Sequence, residues 1–150
     1  MRPFQDSKFS KLPLGFSLEF KETPTPQALN GLLYRCLRHK HPARKLATAL
    51  DNSYCNISII EIQTRILFGF VRITSDKGLN ANLWDLAAEP GKYQEQFFSI
   101  LINRALMIIR RDLPGCSVSL AAPAIASNSL KKQGFLMDPN GIREMEYKIR

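Results

Sequence analysis

Asp85 lies in an otherwise apolar segment, Asn80-Ala81-Asn82-Leu83-Trp84-Asp85-Leu86-Ala87-Ala88, with an indole beside it. A carboxylate partly withdrawn from water can take a proton from an amine or from a water molecule. The same residue can equally be a buried polar group satisfied by nearby backbone. Glu61 ends another apolar run and reads as a solvated acid, and Trp84 reads as core rather than as a substrate platform. Six residues after Asp85 the chain runs Gly91-Lys92-Tyr93-Gln94-Glu95-Gln96-Phe97-Phe98-Ser99 into a long apolar helix. The unpaired N–H groups of a first helical turn suit an anion such as a diphosphate. Here that turn holds one glycine, one carboxylate and two phenylalanines. His39 and His41, two apart and without an adjacent cysteine or carboxylate, make a poor metal site. Cys36, Cys55 and Cys116 fit neither a disulfide framework nor zinc spacing, so no metal and reduced thiols are expected.

Charge narrows the partners. Of 150 residues, 21 are Lys or Arg and 13 Asp or Glu, a net +8, and the excess is uneven. Between Glu22 and Asp51 no acid occurs, while Arg35, Arg38, Lys40, Arg44 and Lys45 do. Such a segment can be a solvated helical face or a docking face for an acidic protein, anionic lipid or nucleic acid. No RNA-binding motif, helix-turn-helix pattern or basic–aromatic interleaving accompanies it, which argues against a specific nucleic-acid reader. No apolar run reaches the roughly 18 residues of a membrane span, and Met1-Arg2-Pro3-Phe4 lacks a signal-peptide core. A cytoplasmic protein, at most peripheral to a membrane complex, is expected.

The elements that must position these groups follow from periodicity. Residues 1–14 read as a loose arm and 15–150 as one domain. Gly15–Lys21 alternates Phe16, Leu18 and Phe20, a short strand. Thr23-Pro24-Thr25-Pro26 opens a helix through Leu29, Leu32, Leu33 and Leu37, and a second helix follows His41-Pro42. Three antiparallel strands are predicted over Tyr54–Ile62, Ile66–Thr74 and Leu79–Ala88. A helix from about Lys92 to Arg111 leads to a strand over Cys116–Ala122, parallel to the Leu79 strand because a crossover helix joins them. A last helix, Pro123–Gln133, stops at Gly134, and Phe135–Met137 with Ile142–Ile149 is predicted to close as a hairpin. The fold class is therefore α/β: a mixed, mostly antiparallel sheet with one parallel pair and helices on both faces.

This order, carried on particular residues, resembles the GNAT superfamily of acyl-CoA-dependent N-acetyltransferases, and within it the cyanobacterial and plastid branch. The residues are Pro42-Ala43-Arg44-Lys45-Leu46 with Ala49-Leu50-Asp51-Asn52-Ser53, Gly69-Phe70-Val71-Arg72, the Asn80–Pro90 strand, and Gly134-Phe135 with Asp138-Pro139-Asn140-Gly141-Ile142-Arg143 and Met145. The resemblance implies that Leu86, Ala87 and Ala88 lie along the pantetheine arm of acetyl-CoA. It also implies that Gln94, Gln96, Phe97 and Ser99 form the pyrophosphate turn, with Asn128 nearby. In that family's pattern Phe97 and Ser99 replace small residues, one residue is extra before Gln94, and Leu130 replaces a thiolate-protonating tyrosine.

Two functions follow as expectations. A phenyl ring at the phosphate seat, with Glu95 adding like charge worth about 1 kcal/mol in water and about 4 at intermediate dielectric at ~4 Å, implies weakened or lost acetyl-CoA binding. The chain would then serve as a binding or assembly module. Arg35, Arg38, Lys40, Arg44 and Lys45 would dock an acidic protein, by analogy a multi-subunit photosynthetic complex. The alternative is an active N-acetyltransferase with Asp85 as general base.

Overall fold

The computed structural model describes residues 11–149. Of the arm expected over residues 1–14, residues 1–10 lie outside them. Lys11 to Leu14 are partly tied down: Leu12 packs against the core, and the Lys11 carbonyl accepts a hydrogen bond from Gln96 Nε2.

Five strands form one sheet in chain order, β1 (Phe16–Glu19), β2 (Cys55–Glu61), β3 (Leu67–Ser75), β4 (Asn80–Ala88) and β5 (Ser117–Leu120). The first four run antiparallel, and β5 joins β4 in parallel, as the intervening helix requires. That helix is α3 (Gln94–Asp112). It buries Phe97, Phe98, Ile100, Leu101, Ile102, Ala105 and Ile109 on the face of Ile57, Ile59, Val71, Ile73, Ala81 and Leu83. At Gly69 an added Cβ would stand 3.2 Å from side-chain atoms of both Ile59 and Leu101, so the bare backbone lets helix and sheet close up.

The opposite face carries α1 (Pro26–Arg35) and α2 (Ala43–Asp51), whose leucines pack on Leu67, Phe70 and Ala87. Thr25 caps α1, its Oγ1 accepting from the Ala28 N–H at 3.1 Å, with proline in the first turn. The last helix is a 3-10 turn (Ala124–Ala126) running into α4 (Ser127–Lys132), and Gly134 follows it at φ +99°.

The closing hairpin does not form. Phe135 turns off α4, and Asp138 and Asn140 take left-handed backbone (φ 46° and 56°) around a 3-10 turn over Pro139–Gly141. The run beyond has strand-like alternation but no wall to pack on, and Met145, Tyr147 and Ile149 are exposed. Alternation supplies one apolar face; without a surface to cover, it specifies no ladder.

Candidate active site

Pairing between β4 and β5 stops at Leu83↔Leu120, whereas β4 continues to Ala88. On its other edge β4 carries a bulge. Arg72 pairs with Trp84 and Phe70 with Ala87, so Asp85 and Leu86 together oppose Val71, and Asp85 sits at φ +55°. Glu89 donates its N–H to Phe68 O on β3 at 2.7 Å. By alternation, the N–H and C=O of Leu86 and Ala88 point away from β3, into the gap that β5 leaves. Their carbonyls are used: Leu86 O accepts from Arg38 Nη1 at 2.7 Å, and Ala88 O from Gln94 Nε2 at 3.0 Å and Cys36 Sγ at 3.3 Å. Their N–H groups have no ladder partner.

The α1–α2 loop closes over this bulge. Leu37, a fully exposed leucine, takes φ +57°, which costs a non-glycine residue about 1–2 kcal/mol. That turn aims Arg38 inward. Arg35 is also taken up inside, its Nε 2.6 Å from Glu89 Oε2 and its Nη2 donating to Leu67 O at 2.8 Å. Burial first, and Glu89 second, push the Cys36 thiol above its usual range, so it stays a protonated donor. Lys40 lies over the Tyr34 ring, while Arg44 and Lys45 are exposed. Of the five cations read as a docking face, Arg35 is thus engaged by Glu89 and the Leu67 carbonyl, and Arg38 by the free carbonyl edge of β4.

Asp85 is satisfied by side chains rather than by backbone. Its Oδ2 accepts from Arg72 Nε at 2.9 Å, and its Oδ1 lies 3.5 Å from His41 Nε2. Arg72 in turn faces the Trp84 ring at 5.8 Å, and Trp84 donates Nε1–H to Thr74 Oγ1 at 2.7 Å, being half exposed rather than core. His41 is fixed by its backbone, whose N–H donates to Asn30 Oδ1 at 2.9 Å while its carbonyl accepts from Asn30 Nδ2 at 2.8 Å. Sequence reasoning left His41 in the basic segment; only a fold that sets that loop against the β4 bulge brings it to Asp85.

The α3 tip differs from the expectation. Phe97 does not stand at the helix end. Its ring is buried, 5.0 Å from Phe16, 5.8 Å from Tyr93 and 6.5 Å from Phe68, because one face of the first turn already belongs to the core. Phe98 is buried in the same core. Glu95 points outward to Lys132 Nζ at 3.0 Å, which offsets its charge. No side chain caps the helix, and among the described residues the N–H groups of Glu95 and Gln96 have no acceptor. Ser99 is half-buried with its carbonyl accepting from Gln133 Nε2, Asn128 is exposed, and Leu130 is buried in the core.

A cavity of about 710 Å³ opens beside this site, between Asn82, Trp84, Ala121 and Leu130 and the carboxylate-bearing segment around Asp138 and Glu144. Among the described residues no group of three or more His, Cys, Asp or Glu is placed to hold a metal, and no helix is long and apolar enough to cross a membrane.

An open-ended β4–β5 pair, a bulge in β4 and an uncapped helix following it characterise this α/β fold, and known proteins share it. No protein-family profile matches the chain. An uncharacterised N-acetyltransferase, ycf52, of the alga Pyropia yezoensis is 33% identical over 108 residues, 71% of this chain and 62% of that protein. The histone acetyltransferase TAP1 of Glycine max is 31% identical over 116 residues, 71% of this chain and 49% of that protein. The aligned part thus spans about three-fifths of the first of these relatives and half of the second. Among solved structures, a probable acetyltransferase, SA2161, of meticillin-resistant Staphylococcus aureus superposes with TM-score 0.78 at 20% identity, covering 89% of this chain and 99% of that one. The GNAT-family protein SP0256 of Streptococcus pneumoniae follows with TM-score 0.67 at 16% identity, covering 90% and 98%. The chain belongs to the GNAT family of N-acetyltransferases.

Proposed function

We propose that the chain is an active acyl-CoA-dependent N-acyltransferase, moving an acyl group, acetyl by the names of its relatives, onto an amine. One observation carries the reading: β4 outruns β5, so the Leu86 and Ala88 N–H groups on that edge have no strand partner, while Phe97 and Phe98 pack in the core. Those N–H groups suit the amide-bearing arm of coenzyme A, and the Glu95 and Gln96 N–H groups at the α3 tip suit its diphosphate, with Lys92 just ahead of the helix adding positive charge. Acetyl-CoA supplies an activated thioester when bound. The protein's own part is to hold it along a rigid strand and to orient the amine beside Asp85, with the cavity under Trp84 as room for the acceptor. The obstruction expected from Phe97 and Glu95 loses its basis, since the ring is in the core and the carboxylate is paired.

A second reading, a protein-binding module that has given up transfer, is favoured by Leu130, a buried aliphatic side chain where a proton donor would serve the departing thiolate. In it, exposed Lys40, Arg44 and Lys45 would meet an acidic protein partner. Titration calorimetry separates the two. Saturable acetyl-CoA binding with a micromolar Kd is the expected result; no heat up to millimolar acetyl-CoA overturns the acyltransferase reading in favour of the module.

A further inference from the structure

Two non-glycine residues with left-handed backbone, Leu37 in the α1–α2 loop and Asp85 in the β4 bulge, serve one place, where the loop lies against the bulge. Strain of this kind persists only where the surroundings over-determine it. One result of that meeting is to set the His41 imidazole against the Asp85 carboxylate. We infer that His41 is the group that takes the proton from the acceptor amine, with Asp85 as its positioning residue.

This inference rests on the acyltransferase reading. Its grounds are geometric. The Oδ1 of Asp85 lies 3.5 Å from His41 Nε2, so a proton on Nε2 faces the carboxylate and the lone pair is left on Nδ1. No described group bonds Nδ1. The other carboxylate oxygen is engaged by Arg72, which leaves Asp85 poorly placed to act as base itself. The Asn30 clamp holds the backbone of residue 41 in place whatever side chain stands there. His41 is half-exposed, so a captured proton has a path to water. Of the charged groups, Asp85 from β4 faces the ring and Arg72 from β3 holds the same carboxylate. Arg38, His39, Lys40, Arg44 and Lys45 are neighbours of His41 in sequence, with Arg38 turned to Leu86 O and Lys40 to the Tyr34 ring.

The step balances without another donor. The ammonium of the acceptor passes one proton to His41 Nδ1 and becomes the free amine. The amine nitrogen bonds the thioester carbonyl carbon, the C–S bond breaks, and the sulfur leaves as thiolate, which takes a proton from water. The amine's second proton and the one held by His41 go to solvent. Leu130, with no proton to give, is consistent with this route.

Two measurements test it. Nitrogen-15 NMR of the imidazoles, with His41 assigned by comparison with His39→Gln, should show the Nε2–H tautomer, and Asp85→Asn should abolish that bias; an Nδ1–H tautomer overturns the inference. In thiol-release assays with acetyl-CoA, His41→Gln should slow transfer to a lysine-containing peptide by about 10²–10⁴-fold. Transfer to aniline, which is neutral at pH 7 and needs no base, should fall less than tenfold. Equal losses with both amines, no loss with either, or no transfer by the unaltered protein despite acetyl-CoA binding overturns the role of His41. If calorimetry finds no acetyl-CoA binding, the acyltransferase reading fails first, and this inference with it.

Discussion

Among the described residues, the α3 tip and the β4 bulge both leave backbone N–H groups outside any helix or strand ladder, yet they are built in opposite ways. At the tip the side chains turn away: Phe97 into the core, Glu95 to Lys132, Gln94 back to Ala88 O. What remains is the generic donor set of any helix start. At the bulge the side chains converge, with Arg38 and His41 of the α1–α2 loop and Arg72 of β3 reaching Leu86 and Asp85 across strained backbone. The contrast teaches that this molecule keeps a bare helix start apart from a cluster of converging side chains, and places left-handed backbone at the second.

The comparison can be broken at the tip first. Phe97→Ala should destabilise the fold by about 3–5 kcal/mol, read as a lower urea midpoint, because it empties an aromatic cluster. An unchanged midpoint with tighter acetyl-CoA binding would mean that the ring had stood in the diphosphate seat. At the bulge, Arg38→Ala should cost about 1–2 kcal/mol for its bond to Leu86 O, whereas exposed Arg44→Ala should stay within about 0.5 kcal/mol. Equal costs in thermal melts would return Arg38 to an ordinary surface cation. The smallest effect sharpens the picture: Glu95→Gln should leave stability unchanged within about 0.5 kcal/mol. It should tighten acetyl-CoA binding a few-fold in calorimetry, by releasing Lys132; weaker binding would mean that the pair itself holds the ligand.

Much of the fold was legible because periodicity and turn chemistry agreed. The Thr25–Pro26 start and Gly134 each carry a local physical signal, and the parallel β4–β5 pair follows from the crossover helix. The terminal hairpin was misjudged from alternation alone, since whether Met145, Tyr147 and Ile149 find a wall depends on the rest of the molecule. In the site, Asp85 could be singled out by its apolar setting, but its partners could not: Arg72 lies 13 positions away in sequence and His41 is separated by 44, joined only by the fold. Phe97 misled for a related reason. Its place in a loop motif says nothing about which way a helical side chain points, and here the core claims that direction.

The bulge has one more consequence. Ahead of it, Ala81 and Leu83 look toward α3; past it, Leu86 and Ala88 do. Counting in twos from Leu83, a strand one residue shorter would bring those two side chains to the same side with no irregularity at all. Asp85 is therefore surplus to the alternation of the sheet, and its carboxylate is free to join Arg72 to the His41 loop.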